Sequence, residues 1–130
     1  MGNRYRDWFR QAEADLNHAR NALEDTDFEW SCFAAHQAAE KALKAVFLKN
    51  GMDAWGHTIT TLMGRLPENI QQPSEDLVNS ARLLDKHYIP TRYPNGFPSG
   101  APKDFYTESE AQEAIKKAIA ILEFCRNQID

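Results

Sequence analysis

Between residues 3 and 24 the apolar positions recur at helical spacing. Trp8, Ala12, Leu16, Ala19 and Leu23 share one stripe, and Arg4, Arg6, Glu13, Asn17 and Arg20 fall largely elsewhere. The pattern predicts an amphipathic helix with a single buried stripe. The run EDTD at 24–27 interrupts it and offers Asp and Thr caps for the next helix. Residues 28–51 then carry the strongest helical signal: Phe28, Cys32, Ala35, Ala39, Ala42 and Val46 align, and Trp30, Phe33, Ala38, Ala45 and Leu48 widen the stripe. Six alanines between 34 and 45 let neighbouring helices approach closely, which predicts a central position. His36, Gln37, Glu40, Lys41 and Lys44 remain as a polar strip, with Glu40 and Lys44 in the favourable i,i+4 order. Asn50-Gly51 is a helix stop.

A short helix follows, with Ile59, Leu62, Met63 and Leu66 inward and Pro67 as its end. Ser74 caps a further helix in which Leu77, Ala81, Leu84 and Tyr88 face inward, and Pro90 predicts a stop near Tyr88. TESE at 107–110 is a capping box. It opens a last helix with Ala111, Ala114, Ile115, Ala118, Ile121, Leu122, Cys125 and Ile129 on one face. No segment alternates with period two. The expected architecture is an all-α, up-and-down bundle of four principal helices plus one short helix, in one domain spanning residues 1–130.

Between the last two helices lies the least helical part of the chain. Residues 82–103 hold four of the six prolines, four Lys/Arg against one Asp, two Tyr and one Phe. The chain as a whole carries a net charge of -4. A nucleic-acid role must therefore rest on a local patch, and this connector is a basic, ring-bearing segment. In PTRYPN (90–95), Arg92 is held between two prolines and Tyr93 beside it offers a stacking face; Tyr88 and Lys86 precede it. Arg82 and His87 are a further pair suited to phosphodiesters, the guanidinium clamping phosphate and the imidazole moving a proton. Five positions put them about 140° apart on a regular helix, so they converge only if the helix ends near His87. The negative end of the helix dipole there would favour imidazolium.

The remaining chemistry is sparse. Cys32 and Cys125 read as buried free thiols in a reducing cytoplasm. His36 and Glu40 have ligand spacing, but a surface hydrogen bond is the plainer reading, and His57 reads as a capping or packing residue. No Gly-rich phosphate loop, metal site or cofactor fingerprint is present, and no apolar run has membrane-spanning length.

Taken together, WFRQAEADLNHA, CFAAHQAAEKALKAVFLKNG, GHTITTL and LDKHYIPTRYPNG resemble the HEPN domain, the higher-eukaryote and prokaryote nucleotide-binding family. The resemblance runs from about Trp8 to the last helix. It implies a small helical bundle that pairs as a homodimer. Many members are ribonuclease-like, with an Arg-x4-6-His motif brought together across the dimer interface, and bacterial members are often encoded beside a minimal nucleotidyltransferase and act with it as a toxin–antitoxin pair. Carried onto this chain, the catalytic pair is Arg82 and His87, although Leu83 stands where nuclease members often have a polar residue. Arg92, Tyr93, Tyr88 and Lys86 are the expected ligand-binding residues. Two readings follow: a nucleotide- or RNA-binding protein with ribonuclease activity, and a non-catalytic dimeric module that docks a nucleotidyltransferase.

Overall fold

The computed structural model describes residues 3–130. In chain order it forms α1 (Tyr5–Glu24), α2 (Phe28–Lys49), α3 (Ile59–Gly64), α4 (Glu75–Asp85), a 3₁₀ turn (Pro94–Gly96), α5 (Pro102–Phe105) and α6 (Glu108–Ile129). No strand forms among the described residues, and no helix there is long and apolar enough to cross a membrane. The four long elements and the short α3 are the bundle expected from the pattern. The one-turn α5 and the 3₁₀ turn, both inside the connector, are additions.

α2 is the central element and packs against α1 and α6. Ala35, Ala38, Ala39, Ala42 and Ala45 are fully buried on it. Such small side chains bring the α1 and α6 backbones close, and the burial is apolar on nearly every side. Ser31, also fully buried, donates from Oγ to the Ala19 carbonyl at 2.8 Å, so its hydroxyl costs no unpaired polar group.

The turn from α1 to α2 is a Schellman motif. The Asp27 N–H bonds Ala22 O at 2.8 Å and the Thr26 N–H bonds Leu23 O at 3.1 Å. The residue in the left-handed region is Thr26, at φ 62°. α6 starts on the predicted capping box, with Thr107 Oγ1 accepting from Glu110 N at 3.2 Å.

Three details depart from the pattern. On α1, Phe9 rather than Trp8 joins Ala12, Leu16 and Ala19 in the core. Both positions fit the spacing, but Phe9 faces α6, with Arg126 5.3 Å from its ring, while Trp8 lies at the rim beneath Lys44 at 5.9 Å. On α2, the strip expected to be solvated is covered: His36 is fully buried and Glu40 nearly so. Residues of the α2–α3 link, α4 and the connector lie over it. Finally, α4 stops at Asp85 instead of near Tyr88. The N–H groups of Lys86, His87 and Tyr88 each bond the carbonyl three residues back, at 3.3, 2.9 and 3.3 Å, which tightens the exit into a turn.

Candidate functional site

That tight exit aims the connector back across α2. Thr91 Oγ1 donates to His87 O at 2.7 Å, and Arg92 Nε donates to Tyr88 O at 2.9 Å. The second bond bends the Arg92 side chain over its own turn. Its guanidinium carbon then lies 4.5 Å from the ring centroids of both Phe33 and Tyr88, and 5.2 Å from that of Tyr93. The stacking holds the fork in place, and no carboxylate pairs with it among the described residues. Tyr93 is 49% exposed, which leaves an open ring face at the edge.

Tyr88 joins this cation to two histidines. His57 stacks on it with centroids 5.1 Å apart and planes 15° from parallel. His36 lies 4.9 Å from it, tilted by 42°. The two histidines have separate acids. His57 Nδ1 is 3.0 Å from Glu40 Oε1, and Lys44 Nζ is 3.1 Å from the other Glu40 oxygen. Gln37 Nε2 lies 3.2 Å from His36 Nδ1, which places the His36 proton on Nε2. That nitrogen is 3.5 Å from Asp85 Oδ1, too long for a good hydrogen bond, and is the buried side-chain polar atom left unpartnered among the described residues.

Asp85 itself is well satisfied. It accepts from Ile59 N at 2.7 Å, Thr60 N at 3.0 Å and Thr60 Oγ1 at 2.6 Å. Burial pushes its pKa upward, but His36 and these donors outweigh burial, and the net direction is below the ordinary carboxylate value.

The sequence-derived residues divide into two places. Arg92, Tyr88 and Tyr93 meet in the cluster. Arg82, His87 and Lys86 take other partners. Arg82 is exposed on α4 and donates from Nη1 to Asn79 Oδ1 at 2.7 Å. Lys86 caps α4 in solvent. His87 is buried, its Nδ1 3.4 Å from Tyr106 Oη and the two ring centroids 5.5 Å apart. Within one chain Arg82 and His87 thus engage separate neighbours. The helix end was expected to favour imidazolium at His87. Desolvation by burial instead lowers its pKa, outweighing the opposing pull of Glu110. Burial likewise raises the Tyr106 hydroxyl to about 12.

Phe33, His36, Glu40, His57 and Asp85 belong to the site and were not singled out for it from sequence. The His36–Glu40 spacing was visible, but Glu40 pairs with His57 and not with His36. No group of three or more His, Cys, Asp or Glu side chains converges in metal-ligating fashion among the described residues. A cleft of about 260 Å³ adjoins the cluster through Trp30 and Phe33. A larger one of about 550 Å³ lies apart, against Trp8, Arg10, Gln11 and Lys41. Its cations are already paired, Arg4 and Arg10 with Asp7 and Lys41 with Asp15.

A sequence model of the HEPN domain matches residues 5–128. Among solved structures, TT1696 from Thermus thermophilus superposes with a TM-score of 0.95 at 50% identity, covering 98% of this chain and 99% of that one. ST0689, described as an archaeal HEPN homologue, gives a TM-score of 0.82 at 39% identity over 100% of both chains. A HEPN domain protein from Thermotoga maritima gives 0.74 at 36%, over 93% of this chain and 95% of that one. Two curated relatives also align. A protein of Methanocaldococcus jannaschii named "Putative toxin MJ1304" is 25% identical over 128 residues, covering 92% of this chain and 84% of its own. Sacsin of Homo sapiens is 30% identical over 122 residues, which is 90% of this chain and 3% of sacsin.

Proposed function

The chain belongs to the HEPN domain family, and from that premise we propose that it binds RNA or nucleotides at the Arg92 cluster. Arg92 holds a phosphate, Tyr93 stacks on a base, and Tyr88 with Phe33 keeps the guanidinium presented. Lys86, exposed on the same turn, adds long-range attraction. The observation that carries this reading is the state of Arg92. Its fork is fixed by two rings at 4.5 Å and one backbone bond through Nε, so the Nη groups remain for a bidentate ligand. An overall charge of -4 makes such a local, half-buried cation more telling than the global field.

The test is affinity for a nucleoside monophosphate and for a short single-stranded RNA. Arg92→Ala should weaken both by roughly 10- to 100-fold, the worth of one charge-assisted contact. Arg92→Lys should recover part of the loss, since it restores charge but not the planar fork. Unchanged affinity in Arg92→Ala refutes the reading.

A second reading keeps Arg82 and His87 as a ribonuclease pair completed across a homodimer, in a cytoplasmic toxin that acts with a minimal nucleotidyltransferase. Two observations support it: the toxin name of the archaeal relative, and the exposure of Arg82 on α4, where a second copy can reach it. Its test is RNA digestion in EDTA with Arg82→Ala and His87→Ala. Loss of cleavage in both favours this pair. Binding without cleavage favours the non-catalytic module, which docks the transferase.

A further inference from the structure

We infer that the cleft walled by Trp30 and Phe33 is a seat for a second nucleobase, so that the site takes two successive nucleosides across one phosphate. The inference rests on the reading of Arg92 as the phosphate ligand and of Tyr93 as a base-stacking ring. It adds to that reading the class of ligand: a single strand of at least two nucleotides.

Phe33 joins the two places. The Arg92 guanidinium carbon lies 4.5 Å from its ring centroid. Trp30 lies on it with centroids 6.0 Å apart and planes at 78°. The guanidinium and the Trp30 ring are thus no further apart than those two distances end to end, a span that one nucleotide bridges from phosphate to base.

Two rings at nearly right angles make a corner. A flat heterocycle lying on one of them turns its edge to the other, and these are the two arrangements that aromatic rings prefer. Trp30 is 48% exposed, so its ring surface is open to a ligand. The cleft measures about 260 Å³, less than a drug-sized ligand needs and suited to a single flat ring system.

Charge decides which part of a nucleotide goes where. Inside the cleft the ionised groups cancel: Lys41 Nζ pairs with Asp15 Oδ2, and Asp15 Oδ1 accepts from Gln11 Nε2 at 2.9 Å. A phosphate there would meet a carboxylate and a cation already taken. Arg92, which no carboxylate pairs among the described residues, is the place for it. The uncharged base belongs in the cleft. Gln37 lines the wall, and its Nε2 is spent on His36 Nδ1 at 3.2 Å. Its amide oxygen is left as an acceptor. Every nucleobase carries an N–H donor on its pairing edge, so Gln37 orients a base without choosing among them. Stacking likewise tolerates any base, and the seat is sequence-tolerant.

Tyr93 supplies the other seat. Its ring centroid lies 5.2 Å from the same guanidinium carbon, and the residue is 49% exposed. A cation between two open ring surfaces matches a phosphodiester between two bases. The larger cleft at Trp8 has no such cation, since Arg4, Arg10 and Lys41 are held by Asp7 and Asp15.

The experiment measures binding of the full chain to three compounds of equal charge: a ribodinucleoside monophosphate, and the same molecule with one or the other base replaced by hydrogen. A stacked base is worth roughly 5- to 100-fold in affinity, and wild type should prefer the intact compound to both abasic ones by such a factor. Trp30→Ala should lower the intact compound to the level of the abasic ones. It should leave one abasic compound, the one that lacks the cleft base, within about twofold. Trp30→Phe keeps a ring in the corner and should recover most of the loss, with thermal melting as the check on fold. In a Trp8→Phe, Trp55→Phe background Trp30 is the remaining indole. The intact compound should quench its emission, and inorganic phosphate should not. If neither missing base changes the affinity, if the emission is unmoved, or if Trp30→Ala binds the intact compound as wild type does, the inference falls and the Arg92 reading stands. If wild type binds none of the three, or if Arg92→Ala binds as well as wild type, both fall.

Discussion

Asp85, the last residue of α4, caps α3 from outside. Its carboxylate accepts from Ile59 N at 2.7 Å and from Thr60 N at 3.0 Å, the work a local side chain does in an ordinary N-cap. Thr58, the residue at the cap position, makes no such bond itself. Through Asp85, α3, α4 and His36 on α2 are joined at the base of the candidate site.

Replacing Asp85 by Ala should therefore cost about 2–3 kcal/mol, since two N–H groups and a hydroxyl lose a charged acceptor. Asp85→Asn should cost less, because one oxygen can still accept. The folded pKa of Asp85 lies below its ordinary 3.8, so its contribution is present above that value and is lost as pH falls through the folded one. Chemical denaturation of the three proteins at neutral and acid pH checks both statements: the difference should shrink on acidification.

His87 has the same sign from a different cause. It is a base whose pKa burial lowers from 6.5. Between the depressed folded value and 6.5 the unfolded chain holds a proton that the folded chain does not. Stability should then fall as pH drops below about 6.5, and should be free of this penalty above it. His87→Leu should flatten that limb. Denaturant midpoints at several pH values between about 5 and 8 measure the slope; an equal slope in the variant would contradict the assignment.

Much of this fold was legible in the chain because it depends on neighbours in sequence. The alanine face of α2, the capping box at Thr107 and the Ser74 cap all follow from spacings of three and four. The departures have a common cause in contacts between distant segments. Periodicity marks His36 and Glu40 as polar, yet whether they meet water depends on His57 and Tyr88, 17 or more residues further on. Pro90 sets an outer limit to α4, yet the earlier stop follows from backbone bonds at Lys86–Tyr88. Of the site, the half carried by the connector could be read as a basic aromatic patch. The half carried by α2 and the α2–α3 link could not, because a His and a Glu 17 residues apart have no local signature.

Thr26 offers a test of the turn between α1 and α2. It holds φ 62° at the position where Schellman turns favour glycine. A β-branched residue there costs about 1–2 kcal/mol, and glycine forfeits part of that gain through its freer unfolded chain. Thr26→Gly should thus raise stability by about 0.5–1 kcal/mol, while Thr26→Val should not. A melting temperature for Thr26→Gly at or below wild type would show that the turn is relaxed as it stands.

Tyr88 is where the separate parts of the site meet. Its ring contacts His36, His57, Phe33 and the Arg92 guanidinium, and its carbonyl accepts from Arg92 Nε. The carbonyl survives any substitution, but the ring does not. In Tyr88→Ala, Arg92 keeps one backbone bond and loses a stacking face, and His57 keeps Glu40 and loses its platform. Nucleotide affinity should drop by about 10-fold, with a stability cost of about 2–4 kcal/mol for the vacated ring volume. Tyr88→Phe preserves the ring and the stacking. It should restore most of both quantities, because the platform works through the aromatic face and not through the hydroxyl. Isothermal titration with a nucleoside monophosphate, paired with thermal melts, separates the two effects. If Phe fails to restore affinity while the fold is intact, the hydroxyl is itself a ligand group, and the stacked-platform account of Arg92 and His57 is wrong.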